Sequence, residues 1–287
     1  MNWITRQIKK ILPRKKQSLD IEADTWIKCT KCLQMIYHEE FEQTQGVCKT
    51  CDEHLIVHPK IRFKNLFDNG IYEEIPYQSS LNDPHNFKYA GKTYKDEFLK
   101  SQQRTQMRDS WLIGQGKMNN IHVCIIAQYF KFLGGSIGAS AAEGFIKACE
   151  YAVENNCPLI CIISSGGARV FENQHALQSL PKMLVGINML KDKRLIYCTV
   201  LTHPSTGGTQ ASIGSLGTIT LAEPGATIGF AGARVISQNS PEHDFPADFQ
   251  KSESLLRLGQ VDAIVHRHDL KAKISQILRL LLKHHAA

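Results

Sequence analysis

The stretch "PLICIISSGGARVFE", residues 158–172, decides how this chain is read. Five apolar residues, 159–163, form the short continuous run of a strand buried on both faces. Gly166-Gly167 then breaks the run, and residues 168–172 take on a helix-like pattern. A second copy of the design lies in "LIYCTVLTHPSTGGTQAS", residues 195–212, with Gly207-Gly208 in the same position. A third Gly-Gly, Gly134-Gly135, stands in "FLGGSIG", residues 132–138. Strands alternating with helices define an α/β fold. The repeat suits stacked strand–strand–helix turns, and an open doubly wound sheet satisfies the same spacing.

Two bare glycines where a strand opens into a helix expose consecutive backbone N–H groups. Without a Cβ, a substrate carbonyl can approach them closely. The helix N-terminus adds partial positive charge. Such donors form an oxyanion hole, which needs no titratable side chain. The plain alternative is a tight turn with no ligand. No G-x-x-x-x-G-K-[ST] or G-x-G-x-x-G pattern is present, so phosphate-loop and dinucleotide chemistries are excluded on the residues. Arg169 opens the helix-like stretch, where a cation is badly placed unless it meets an anion or a carboxylate such as Glu172. The histidines are scattered along the chain; His203 alone stands near a candidate site, as a positioning or a surface residue.

Outward from this centre, "WLIGQGKMNNIHVCIIAQYF" reads as two strands around an Asn-Asn turn. "SIGASAAEGFIKACEYAVENN" reads as a helix, and "ATIGFAG" (226–232) and "VDAIVHR" (261–267) as further strands. "HPKIRFKNLFDNGIYEEI" reads as a helix stopped at Asn69-Gly70 and then a strand. "YKDEFLKSQQRTQMRDS" reads as an amphipathic helix with Phe98, Leu99 and Met107 on its apolar side. Pro181 is expected to break or kink the helix that follows the first strand–Gly-Gly unit. The chain closes on a cationic amphipathic helix.

Cys29, Cys32, Cys48 and Cys51 form C-x2-C-x15-C-x2-C. Each C-x2-C aims two thiolates at one point, and the 15 residues between can return the second pair as a hairpin. Four soft thiolates suit a closed tetrahedral Zn2+ site, structural because no position stays open. Cys124, Cys149, Cys157, Cys161 and Cys198 sit in apolar segments and read as buried thiols.

Of the net charge of +7, the first 16 residues carry six basic side chains and no acid, against 28 basic and 27 acidic residues in the rest. The chain is a near-neutral body with a basic arm, either a solvated tail or a patch for an acidic partner. No segment has the apolar run of a membrane span or an export signal, which points to the reducing cytoplasm and to thiols rather than disulfides. The expected division is an arm (1–24), a four-cysteine zinc ribbon (25–57) and an α/β body (58–287).

The ribbon, then "FLGGSIG", "CPLICIISSGGAR", "LTHPSTGG", "AEPGATIGFAGARVI", "FQKSE" and "GQVDAIVHR" in that order, resemble the carboxyltransferase beta subunit of bacterial acetyl-CoA carboxylase. The resemblance implies a crotonase-like superhelix of strand–strand–helix repeats. It implies transfer of a carboxyl group from carboxybiotin, borne by a biotin carboxyl carrier protein, to acetyl-CoA, giving malonyl-CoA for fatty acid synthesis. Biotin is then a carrier-bound substrate, not attached to this chain. The implied partners are an alpha subunit in an α2β2 assembly and biotin carboxylase. By the same resemblance, Gly166-Gly167 hold the thioester oxyanion, with Gly207-Gly208 as a second catalytic pair, while Gly134, Gly135, Ser136 and Arg169 contact substrate. The family follows the first Gly-Gly-Ala-Arg with Met-Gln-Glu, where this chain has Val170-Phe171-Glu172. The alternative is a diverged relative with another acyl-CoA or no activity, whose ribbon and arm bind nucleic acid or a partner protein.

Overall fold

A computed structural model describes residues 26–79, 83, 86–89, 91–232, 235–236, 238 and 245–285. The basic arm lies outside the described residues. The ribbon begins with β1 (Trp26–Lys28) paired antiparallel to β2 (Met35–Tyr37). Helix α1 (His38–Gln43) follows, with Glu39 and Glu40 in the first turn, where the helix dipole favours acids. The second cysteine pair is closed by an antiparallel bridge between Val47 and His54. The expected hairpin between the pairs is therefore corrected. The intervening residues hold β2 and α1, and a small hairpin spans each C-x2-C instead. The helix is required to bury Phe41 against Ile36, Leu55, Val57 and Ile61.

Helix α2 (Pro59–Leu66) starts on proline at N1, where the missing N–H is no loss. His58 caps it: Nδ1 accepts from the Lys60 N–H at 3.2 Å, and Nε2 lies 3.1 Å from the Thr105 carbonyl, to which its N–H donates. The ring is neutral and fully used, and burial pulls its pKa down from 6.5 to about 4. The native state thus refuses a proton that the unfolded chain accepts. His58 stabilises fully above pH 6.5, and the contribution fades as pH falls towards 4. Chemical denaturation across that window should show wild type losing on the order of 3 kcal/mol more than His58→Gln. Parallel pH profiles would refute it.

Strand β3 (Tyr72–Glu74), the small pair β4 (Lys88–Tyr89) and β5 (Lys92–Thr93), and helix α3 (Tyr94–Thr105) come next. The buried stripe of α3 is Tyr94, Phe98, Ser101 and Thr105; Leu99, expected inside, is 43% exposed. The spacing 94, 98, 101, 105 follows one helix face, and position 99 falls about 100° away from its neighbour at 98.

The body is one sheet. Strands β6 (Trp111–Met118) and β7 (Ile121–Gln128) form a hairpin through Asn119-Asn120, both at positive φ, the primed turn that matches strand twist. Helix α4 (Ala139–Glu154) leads to β8 (Leu159–Ser165), α5 (Gln174–Asp192) to β9 (Tyr197–Thr206), and then β10 (Ile219–Ala222) and β11 (Ile228–Gly229). Helix α6 (Ser252–Arg257), β12 (Ala263–Ile264) and α7 (Leu270–His285) complete the chain. The order is β12-β10-β9-β8-β7-β6-β3, with β11 pairing the end of β9. From β7 to β12 every pair is parallel, and β6 and β3 are added antiparallel. The last strands are shorter than the apolar runs 226–232 and 261–267 predict.

Alternate residues of the strands serve two cores. Cys124, Ile126, Leu159, Cys161 and Ile163 face one core with Phe145 of α4 and Met183 and Ile187 of α5. Val123, Ile125, Ile160 and Ile162 face the other, with Phe63 of α2 and Ile274 and Leu278 of α7. Burial on both faces is why these strands read as continuous apolar runs. Helix α5 runs through Pro181 without breaking. Ala176 on one side of the proline and Met183, Ile187 and Leu190 on the other are buried, which holds the axis together despite a lost hydrogen bond. All five non-ribbon cysteines are buried, as predicted.

Candidate active site and metal centre

The three Gly-Gly loops leave the C-terminal ends of adjacent parallel strands β7, β8 and β9, where α/β sheets place their ligands. They interlock backbone to backbone. A Cβ on Gly167, at φ +110°, would lie 3.1 Å from the Gly207 Cα, and one on Gly207, at φ +70°, would lie 2.8 Å from the Gly166 carbonyl. Buried Ser165 is the common fastening: its hydroxyl donates to the Gly135 carbonyl at 2.7 Å and accepts from the Gly167 N–H at 3.0 Å, with Thr209 Oγ1 at 2.8 Å. Beyond Thr209 the chain makes a π-helical turn, Gln210–Gly214, a form that recurs at functional sites.

This interlock redistributes the expected donors. The Gly166 N–H donates to the Gly134 carbonyl at 2.8 Å, and the Gly207 N–H to the Gly229 carbonyl at 3.0 Å. Together with Gly167, three of the four glycine amides hold the loops in place. Among the described residues, the N–H groups of Gly134, Ala168 and Gly208 have no acceptor. Gly134 and Gly208 are half-buried, while Gly166 is exposed at the rim.

Arg169 is 1% exposed and turned into the protein. It pairs with Asp109 through both terminal nitrogens, with Glu172 at 3.2 Å, and with the Tyr94 hydroxyl at 3.4 Å. Nε donates to Ser136 Oγ at 3.1 Å and Nη2 to the Ser136 carbonyl at 2.8 Å. Burial opposes its charge, but Asp109, Tyr94 and Glu172 outweigh burial and hold its pKa above the ordinary value. Glu172 also accepts the Ala139 N–H at 2.6 Å, at the start of α4. Phe171 stacks on Tyr94 with centroids 5.3 Å apart. The structure thus pairs Arg169 with Glu172 and adds Asp109 and Tyr94, neither of which carries a motif in the sequence.

The four ribbon cysteines converge. Cys29 and Cys51 sulfurs lie 3.6 Å apart, Cys32 and Cys48 3.7 Å, and all four within 4.8 Å. A tetrahedral S4 site with bonds of about 2.3 Å needs sulfurs about 3.8 Å apart, so the cluster fits a metal ion. Burial pushes the Cys29 thiol up, but the N–H groups of Cys32 and Lys31 bring it down to about 7.

The ribbon is fastened to the body by groups the sequence scatters. Buried Glu223 takes Arg267 at 2.8 Å and Arg62 at 2.7 Å, while Arg267 Nη1 donates to the ribbon carbonyls of Gln45 at 2.8 Å and Leu55 at 2.9 Å. Burial alone would raise the Glu223 pKa; Arg267 and Arg62 drive it well below the carboxylate range. A cleft of about 520 Å³ opens along the seam, lined among others by His54, His58, Arg104, Lys131 and His203. His203 precedes a cis peptide bond to Pro204, and its Nδ1 accepts the Thr227 N–H at 3.3 Å. Burial and nearby Lys251 lower its pKa. On the ribbon's outer face Trp26 and Tyr37 meet edge to face at 5.4 Å, while Phe41 is buried.

Main-chain donors at the ends of parallel strands suit stabilisation of acyl oxyanions. The carboxyl transferase domain family matches residues 77–244, which places the molecule among the carboxyl transferases. Its fold is similar to the Pseudomonas malonate decarboxylase hetero-tetramer solved with malonate, at a TM-score of 0.60 and 21% identity over 80% of this chain and 82% of that one. The full length is similar to acetyl-coenzyme A carboxylase carboxyl transferase subunit beta of Sinorhizobium medicae, 40% identical over 99% of this chain and 92% of that one. The Liberibacter asiaticus subunit of the same name is 40% identical over 99% of both chains. The chain belongs to the family of acetyl-coenzyme A carboxylase carboxyl transferase beta subunits.

Proposed function

We propose that this chain is the beta half of the carboxyltransferase of acetyl-CoA carboxylase, and that the free amides of its interlocked glycine loops hold the reacting oxygens. Carboxybiotin, delivered on its carrier protein, releases CO2. The biotin ureido nitrogen takes the α-proton of acetyl-CoA, and the resulting enolate carbon attacks CO2 to give malonyl-CoA. The base belongs to a substrate, so the protein supplies hydrogen-bond donors. The Gly208 and Ala168 N–H groups take the developing enolate and ureido oxygens. Gly134 lines the CoA side, and Gly166, Gly167 and Gly207 fix the donors' positions. Gly135 and Ser136 act through the scaffold, since Ser136 is held by Arg169. Arg169 is a positioning residue.

The supporting observation is the convergence of three Gly-Gly loops at neighbouring strand ends, with donors left open. The four cysteines hold a structural Zn2+ that replaces the core a short ribbon cannot build. An alpha subunit supplies the other half of the site in an α2β2 assembly, working with biotin carboxylase in the cytoplasm. No helix among the described residues is long and apolar enough to cross a membrane.

The test is conversion of malonyl-CoA and biocytin to acetyl-CoA by the chain with its cognate alpha subunit. The chain alone should be inert. Gly208→Pro deletes one donor at a helix start, where proline is tolerated; kcat should fall about 10²–10³-fold. Gly208→Ala keeps the N–H and meets only the end of the Leu180 side chain, 2.7 Å away, so it should retain most turnover. Equal turnover in the two variants would remove Gly208 from the oxyanion site.

A further inference from the structure

The seam between ribbon and body holds a group of side chains that carboxyl transfer does not use. His54 is buried, its side chain 2% exposed, and neither ring nitrogen has a hydrogen-bond partner. Its Nδ1 stands 3.5 Å from Glu223 Oε2, an ion-pair separation too long for a full hydrogen bond. Leaving a buried imidazole nitrogen unpaired costs about 1–3 kcal/mol, and native proteins rarely leave such a group without a purpose. The ring packs edge to face on His266, centroids 4.5 Å apart, and Asp52 Oδ1 lies 3.2 Å from His266 Nε2. One nitrogen of each histidine and one Asp52 oxygen all lie within 4.8 Å of one another.

We propose that Asp52, His54 and His266 form a second metal site, distinct from the four-cysteine centre, which takes a divalent transition ion of the Zn2+ class. Two imidazoles and a carboxylate are the donor set of three-ligand zinc sites with one open position. A tetrahedral ion with bonds of about 2.0 Å needs donor atoms about 3.3 Å apart. The Asp52–His266 pair already has that spacing, and Asp52, with its side chain 73% exposed, is free to close on His54. Glu223 supplies the outer carboxylate: with Nδ1–H of His54 directed at it, the ring's lone pair falls on Nε2, the arrangement that orients metal-bound imidazoles. At His266 the ion takes the place of the proton between Nε2 and Asp52. The ring stays neutral by carrying its one proton on Nδ1 instead of Nε2, and Nδ1 gives up the 3.3 Å hydrogen bond that it accepts from the His268 N–H. Asp52 and His54 belong to the second cysteine hairpin and His266 to the loop after β12, so the ion ties the ribbon to the body.

The site is tested on the full chain with Co2+ and Zn2+ as probes. Elemental analysis after Zn2+ saturation and gel filtration should give two ions per wild-type chain, and one per chain in His266→Ala and in Asp52→Asn. In a Co2+ titration the first equivalent should produce the intense thiolate charge-transfer band of the four-cysteine centre. The second should add only weak d–d absorption, and should bind at least tenfold more weakly in both variants. Because His266 and Asp52 are partly or largely exposed, the thiolate band in each variant certifies an intact ribbon. One ion per wild-type chain, or two per chain in both variants, overturns the proposal.

Discussion

Gly167→Val should abolish carboxyl transfer while leaving the ribbon's metal in place. The new Cβ would stand 3.1 Å from both the Gly207 Cα and the Gly208 nitrogen, main-chain atoms that cannot swing aside. The residue also sits at φ +110°, which a β-branched side chain resists at a cost on the order of 1–3 kcal/mol. The first and second Gly-Gly loops must part, and the Gly208 N–H moves with them. A displacement of about 1 Å at a reacting centre is worth about 10²-fold, and here more than one donor shifts. We expect kcat with the alpha subunit to drop by at least about 10³-fold, with metal content near wild type. Turnover within tenfold of wild type would show that the interlock does not set the geometry of transfer.

Arg169→Ala should be the most damaging single change for the fold. It leaves Asp109 and Glu172, both with fully buried side chains, without their shared cation. Breaking a buried ion pair from one side costs about 3–5 kcal/mol, a large share of the stability of a domain this size. The loss should appear in urea denaturation as a lower midpoint. Arg169→Lys should recover only part of it, because an ammonium cannot reproduce the paired contact with Asp109 together with those to Ser136, Tyr94 and Glu172. A midpoint for Arg169→Ala equal to wild type would contradict the network's role in holding the loops that follow β7 and β8.

The legibility of the site differs from residue to residue. Gly166-Gly167 and Gly207-Gly208 are visible in sequence because a glycine pair after an apolar run is rare and local. Their hydrogen-bond partners are not: the Gly166 N–H meets the Gly134 carbonyl, and the Gly207 N–H meets that of Gly229. Those partners are fixed by which strands lie side by side, and spacing along the chain does not encode that. Arg169 raises a question in sequence, a cation at a helix start, and Glu172 three residues on is the local answer. Asp109, 60 residues earlier, lies in the connection between α3 and β6, and only tertiary packing brings it to the β8 loop. Leu99 shows the smaller version of the same limit, since one residue of phase on a helix separates core from solvent.

By itself the sequence determined what depends on neighbours along the chain. The doubled C-x2-C gathers four thiols that could hold a metal ion, the Asn119-Asn120 turn closes a hairpin, and the unbroken apolar runs become strands buried on both faces. The family resemblance followed from the order of those local pieces. Tertiary structure decided which amides are left free, where the Arg169 charge is neutralised, and how Glu223, Arg62 and Arg267 join the ribbon to the body. Each of these includes pairs far apart in the chain, such as the Gly166 N–H with the Gly134 carbonyl and Arg169 with Asp109, in a low-dielectric interior. There the partner of a charge or an N–H is set by the order of strands in the sheet, not by the residues beside it in the chain.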